Sequence, residues 1–441
     1  MPQQSTFYPV VGGLDETTQA IAVRRGAAIG CLNHESVYQG YGRVGGHERY
    51  SGLLSPTAAY LAEEIEADAV VARESARTAI QLLPGTGPVR GIWTLGDNVY
   101  AWRDNAAQTE GVMFRSTTSG WQTVNLGHAL AFTSGGTFEI LPGQTVTGAT
   151  SNKSAFVRKV IVTSGSWLAG TAAGYLVTDP PTGTFVAENL NFQANLNVAT
   201  IAGTAVAQTF PPGGHYEFET HNFYASASLR AFYGANGVGR GFEVDATGVV
   251  TLINTQPDAA LDKPTHVSVY KDHLFFGFSN GSAVHSQPGD PALFDGAMGA
   301  TELGVGSPIT GFGAAPGGAL FIFSETKVSA LFGSNFEDWT IEVVTDEGGA
   351  HPGTIQRLTD ILYMDNMGVR AVATARDYAN FRVSTITNSI ADTLRTKRNR
   401  GVVPTASCVI RDKAQYRLFF SDGTGVSIFF GRKYPECMAF G

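Results

Sequence analysis

YKDHLFFGFSNGSAVHSQPGDPALFDG, residues Tyr270–Gly296, decides how the whole chain is read. The run HLFFGF is apolar at consecutive positions, as in a strand buried on both faces. Asn280-Gly281 then supplies a tight turn, SAVH a second strand, and Gly289-Asp290-Pro291 a loop. The same stretch carries Asp272, His273, His285, Ser286 and Asp290, residue types that also build hydrolytic or metal sites. It is therefore either a site or one unit of a repeating scaffold.

Repetition favours the scaffold. Runs such as ALFIF, ILYMD and YRLFF recur, each followed by a turn and a second strand such as VSALFG or GVRAVA. The spacing, roughly 35 to 45 residues, is that of propeller blades. Six candidate blades can be marked: VRGIWTLGDNVYAWRDN with GVMFRSTTSGWQTVNLG, then segments centred on RAFYGANGVGRGFEV, HLFFGF, ALFIF, ILYMD and YRLFF. The sixth shows only two clear strands, so either the N-terminal arm completes it or it stays short.

Outward from this repeat, the chain divides into an extended, glycine-rich arm (1–55), a helix (56–85), a first blade (86–136), an insertion (137–220) and the remaining blades (221–441). The insertion is rich in Thr, Val, Gly and Ser with closely spaced turn signals, which predicts a small β-barrel or sandwich. The helix is predicted from Ser55 as cap, Pro56 at the first position, and Leu61, Ile65, Ala69, Ala72 and Ala76 at helical spacing. Its alanine stripe suits close packing in an assembly interface. The expected fold is thus all-β, a six-bladed propeller with an inserted β domain and one N-terminal helix.

Composition agrees. Charged residues make up only 15% and aromatics 11%, with 53 glycines, a balance of many short strands and tight turns. The formal net charge of -8 argues against tight wrapping of nucleic acid, which needs a clustered basic surface. Cys31, Cys408 and Cys437 are widely spaced and odd in number, suggesting neither a disulfide framework nor a zinc site and favouring assembly in a reducing cytoplasm. No secretion signal, membrane span or cofactor is expected.

Several clusters could carry chemistry. His215, Glu217, Glu219 and His221 alternate at period two, which would put them on one face of a strand. One straight strand does not converge three or four metal ligands, so a solvated face backed by Tyr216 and Phe218 is the stronger reading. RSTTSGW, Arg115–Trp121, is similar to the S-x-D-x-G-x-x-W turn of sialidase-like propellers, but Thr118 replaces the aspartate and the tryptophan comes early, directly after Gly120. Arg395, Lys397, Arg398 and Arg400 form a basic segment, read as a solvated loop, a loop reaching DNA, or an edge between subunits. No catalytic pair or triad is positioned, and the chain is not expected to be an enzyme.

Two segments resemble a known family. GGLDETTQAIAVRRGAAIGCLNHESVYQGYGRVGGHERY, with Gly26, Asn33, Gly40, Arg43 and Gly46, resembles in its spacing the N-terminal segment of tail nozzle (tail tubular B-type) proteins of short-tailed bacteriophages. The stretch Tyr270–Gly296, with Ser286, Gly289, Asp290, Pro291 and Phe294 in S-x-x-G-D-P-x-x-F, looks like a blade of that family, as do ALFIFSETKVSALFGSN and DNMGVRAVATARDYANFRVSTITNSI. The resemblance covers about 1–55 and 265–395. It implies a structural subunit of the virion tail, a ring commonly of six copies below the head-to-tail adaptor, with fibres or spikes as neighbours and only transient, non-specific contact with exiting genome DNA. An alternative is a receptor-binding propeller whose insertion holds a host glycan, with aromatic sites around Trp167 and Tyr175.

Overall fold

The structure, a computed structural model, describes residues 11–38, 40–45, 50, 68, 71, 81–224, 230–256, 258–315, 318–374 and 381–441. The helix read from the alanine stripe, with Leu61, Ile65, Ala69, Ala72 and Ala76, lies outside these residues. Six four-stranded antiparallel sheets form the blades of a β-propeller arrangement. The apolar runs are their second strands: His273–Gly277, Leu320–Ser324 and Ile361–Asp365 are buried at every position. Burial on both faces is what removes the polar alternation from these sequences. The outer strand Thr340–Thr345 is the reverse, exposed at its first four positions. The turn read at Asn280-Gly281 is present, with Gly281 at φ +86°, a conformation that glycine adopts without steric cost.

The chain falls into two compact units, one of Met1–His47, Gly277–Ala283 and Leu303–Gly441, the other of Glu48–Phe276 and Val284–Glu302. In the second unit the first blade (Thr86–Leu95, Asn98–Asp104, Gly111–Thr117, Gly120–Thr123) packs on the next (Glu217–His221, Ala231–Ala235, Gly241–Val244, Val250–Ile253). Trp102, fully buried, stands at the centre of this contact, its ring 4.7 Å from Phe218, 5.3 Å from Tyr216, 5.9 Å from Phe242 and 6.0 Å from Phe232. Trp93 Nε1 also donates to Thr220 Oγ1 at 2.8 Å. The two blades are thus neighbours in space although the insertion separates them in sequence.

That insertion is a closed barrel. Strands Thr145–Gly148, Ser154–Ser164, Ala173–Thr178, Glu188–Phe192 and Asn195–Ile201 join His128–Ser134, which pairs with Ala173–Thr178 to close the ring; the short Val206–Ala207 pairs with His128–Ser134 as well. Leu130, Phe132, Val146, Val157, Leu176, Leu190 and Val198 fill it. The limits read from sequence shift: His128–Ser134 belongs to the barrel rather than to the first blade, and Glu217–His221 is the opening strand of the second blade rather than part of the insertion. The barrel is anchored to the second blade by Lys159 Nζ to Glu243 Oε1 at 2.6 Å, and by the Tyr175 hydroxyl donating to Leu252 O at 2.8 Å.

In the first unit the last blade is complete without the arm, with strands Pro404–Ile410, Gln415–Phe420, Gly425–Phe429 and Glu436–Phe440. The arm lies along its outer edge instead. Leu14 N donates to Cys437 O (2.8 Å), Asn33 N to Ala439 O (3.1 Å), and Leu32 bridges Ala439 in parallel. A hairpin, His34–Val37 with Gly40–Arg43, follows. It carries Glu35 into the blade, where the carboxylate meets Arg417 Nη2 at 2.5 Å, Lys413 Nζ at 2.7 Å and Gln415 Nε2 at 3.1 Å. Among the described residues no helix is long and apolar enough to cross a membrane.

Candidate functional site

The basic segment is not a loop. Ala391–Asn399 is a helix of nine residues, opened by the 3-10 turn Asn388–Ile390, with Arg395, Lys397 and Arg398 along it and Arg400 as its C-terminal cap. A single apolar side chain, Leu394, is buried beneath it, so the surrounding charge masked the helical pattern. Its first turn is capped from far away: Glu16 accepts from Thr393 N (3.2 Å) and Thr393 Oγ1 (2.9 Å), placing a carboxylate where exposed N–H groups favour one. Basic residues at the other end suit the opposite pole.

These cations are mostly engaged. Lys397 Nζ meets Asp422 Oδ2 at 2.8 Å and also Thr424 Oγ1. Hydrogen bonds from Thr424 and Lys397 hold the Asp422 pKa down to about 2, with the Lys397 hydrogen bond the largest cause. Arg398 Nη1 donates to Asn366 O at 2.5 Å. Arg395 is 64% exposed and pairs with Asp392 at 2.8 Å within the helix. Lys397 and Arg395 are thus paired with carboxylates, whereas Arg398 keeps its charge beside a neutral carbonyl.

The histidines of the opening stretch are core groups. His273 and His285 are buried, their rings 4.8 Å apart and edge to face, and each Nδ1 lies within hydrogen-bond reach of Ser286 O, at 2.6 and 2.8 Å. Burial lowers both pKa values despite the Ser286 carbonyl, that of His285 to about 4. Asp290 Oδ1 accepts from Ala292 N at 2.9 Å, and Ser286 Oγ accepts from Leu274 N at 3.0 Å. Gly289, at φ +74°, turns the loop so that its N–H reaches Asp272 O. The stretch is therefore a blade and its connecting loop, as the repeat implied.

The His/Glu strand is also absorbed by packing. Tyr216 and Phe218 face the aromatic core, while Glu217 Oε2 and His266 Nδ1 lie 2.8 Å apart and His221 Nε2 lies 3.4 Å from Asp272 Oδ1. Among the described residues, no group of three or more His, Cys, Asp or Glu side chains could share a metal ion. Arg115–Trp121 forms the third strand and hairpin turn of the first blade, with Thr117 Oγ1 donating to Gly120 O at 2.8 Å. Trp167 is buried in the barrel, stacked on Phe132 at 5.1 Å, and Tyr175 is tied to the second blade. Neither forms an open aromatic shelf for a sugar.

No family model matches this chain, and no curated protein matches it. Solved structures similar to it include the C-terminal WD40 domain of Sif2 (11% identity over 78% of this chain and 82% of that one, TM-score 0.36). Others are virginiamycin B lyase from Staphylococcus aureus (9%, 66% and 86%, TM-score 0.32) and the Cps50 (Swd1) β-propeller domain of Myceliophteria thermophila (10%, 48% and 68%, TM-score 0.32). At such identities a likeness concerns fold alone and says nothing of substrate or partner.

Proposed function

We propose that the chain is a structural subunit of a short-tailed bacteriophage tail, a nozzle ring through which genome DNA leaves the particle, adjoining the head-to-tail adaptor and the fibres or spikes. The observation that supports this reading is what the family-like residues do. Asn33, at φ 60°, docks the arm by donating to Ala439 O and accepting from Gly441 N through Oδ1 at 2.9 Å. Phe294 of the S-x-x-G-D-P-x-x-F loop stacks on Phe276 at 6.0 Å. The residues that carry the resemblance thus build the scaffold, as expected of a protein whose role is architecture.

Low charge density fits the same role, because every neutralised phosphate would add a salt-dependent hold on a strand that has to slide. Electron microscopy of the purified chain and of virions carrying it tests the proposal. Closed rings, commonly of six copies, located at the tail are the expected result. A strictly monomeric chain absent from virions would overturn it.

A further inference from the structure

A cleft of about 190 Å³ opens where the first blade, the barrel and the second blade meet, all within one unit. Arg115 of the first blade, Arg158, Thr178 and Asp179 of the barrel, and Thr247 and Gly248 of the second blade line it. The two arginines are not equivalent. Arg158 is neutralised by a two-pronged pair with Asp179, Nε to Oδ1 at 2.8 Å and Nη2 to Oδ2 at 3.1 Å. Arg115 lacks a carboxylate within ion-pair distance among the described residues and lies beside the buried Tyr100 hydroxyl. The nearby Asp245 carboxylate is occupied by Thr247 N (2.9 Å), Thr247 Oγ1 (2.7 Å) and Val249 N (3.0 Å).

The wall beside Arg115 is bare backbone. Gly248 sits at φ +84°, which favours glycine, and a β-carbon there would lie 3.5 Å from Arg115 Nη1 and 3.6 Å from the Tyr100 hydroxyl, in ordinary contact with both. At the cleft's edge Thr178 is fully buried, and its hydroxyl has no hydrogen-bond partner among the described residues. A half-buried guanidinium with no carboxylate partner among the described residues, in a cleft that also holds one unpartnered hydroxyl, is a recognition element for an oxyanion in a chain of net charge -8. The volume is below the ~300 Å³ at which pockets for drug-sized ligands begin. It suits a single anionic group or one acidic ring rather than a polymer segment.

We propose that this cleft binds the anionic group of a small ligand, a carboxylate, sulfate or phosphate, on Arg115. Arg158 and Asp179 form the opposite, neutral wall. The site stands independently of the tail-ring reading, since ring formation and ligand binding are measured separately.

Titration calorimetry of the full chain at low ionic strength, with inorganic phosphate, sulfate and glucuronate as probes, tests it. Saturable one-to-one binding of at least one probe is expected, weakened about tenfold or more in Arg115→Gln. Arg115→Lys, which keeps the charge but loses the planar fork, should fall between. Binding of glucuronate alone identifies an acidic sugar, whereas binding of phosphate or sulfate identifies a free oxyanion. No saturable binding of any probe to the unaltered protein, or equal binding by a folded Arg115→Gln, overturns the proposal.

Discussion

Two places in the molecule face the same task, holding a blade to a segment distant in sequence, and they do it with opposite chemistry. Where the chain leaves for the barrel and returns, the first and second blades are joined by rings packed around Trp102. Where the arm meets the last blade, the centre of the contact is a buried carboxylate, Glu35, among Arg417, Lys413 and Gln415. An apolar junction gains from burial whatever its partner's orientation. The ionic junction recovers its desolvation cost only when every partner is in place, so it fixes the arm's register more than it adds stability.

The largest effect should come from the apolar side. Trp102→Ala removes a fully buried side chain from among four neighbouring rings and should cost about 3–5 kcal/mol. Chemical denaturation measures this directly. A loss below about 1 kcal/mol would show that the two blades close without the tryptophan.

Both junctions show why some of the molecule could be read from sequence and some could not. HLFFG, LFIFS and ILYMD were legible because burial on both faces leaves an unbroken apolar run. The strand His128–Ser134 was not, because its alternation matches an outer blade strand and only its pairing with Ala173–Thr178 assigns it to the barrel. The last blade read as incomplete because Pro404–Ile410 is half-buried along most of its length, with no unbroken apolar run, and Glu436–Phe440 follows directly on a polar turn. The helix Ala391–Asn399 takes its cap from Glu16, 377 residues away, a distance no local pattern records. The candidate cleft is equally hidden: Arg115 falls within a turn motif, but its lack of a carboxylate partner among the described residues is a property of three elements meeting.

A smaller effect is expected at the ionic junction, and it should depend on pH where the first does not. Burial alone would raise the Glu35 pKa, but hydrogen bonds from Lys413 and Gln415 and the charges of Lys413 and Arg417 more than offset it, so the net shift is downward from 4.5. A depressed acid contributes stability above its unfolded value and loses it as pH falls through the folded one. Glu35→Gln should therefore cost about 3 kcal/mol at neutral pH, the low end for a broken buried pair because Lys413 is 44% exposed. The penalty should shrink below pH 4.5. His285 acts in a different window: its pKa falls from 6.5 to about 4, so the unfolded chain takes up the proton first and stability declines between those values. Acid titration of the unaltered chain, Glu35→Gln and His285→Gln separates the two. A Glu35→Gln penalty undiminished in acid would mean that the residue acts through shape rather than charge.

The smallest effect belongs to a charge outside either junction. Arg395 is largely exposed, and its partner Asp392 lies one helical turn away, an arrangement worth roughly 0.5 kcal/mol or less. Arg395→Gln should leave folding unchanged within that margin, and so should Arg400→Gln at the helix cap. The consequence reaches DNA. If these were the residues gripping a passing duplex, their loss would lower affinity and flatten the salt dependence in proportion to the phosphates released. Because Lys397 is already paired with Asp422 and Arg398 is tethered to the Asn366 carbonyl, few charges are free to follow a duplex, and at a Debye length of about 8 Å they are largely screened from one another. Binding of random duplex DNA at about 0.15 M salt should therefore be weaker than micromolar in the unaltered chain, with little change in either variant. Submicromolar affinity with a steep salt slope, lost in Arg395→Gln, would make the helix a DNA contact and would replace the proposed passive conduit with a protein that holds its strand.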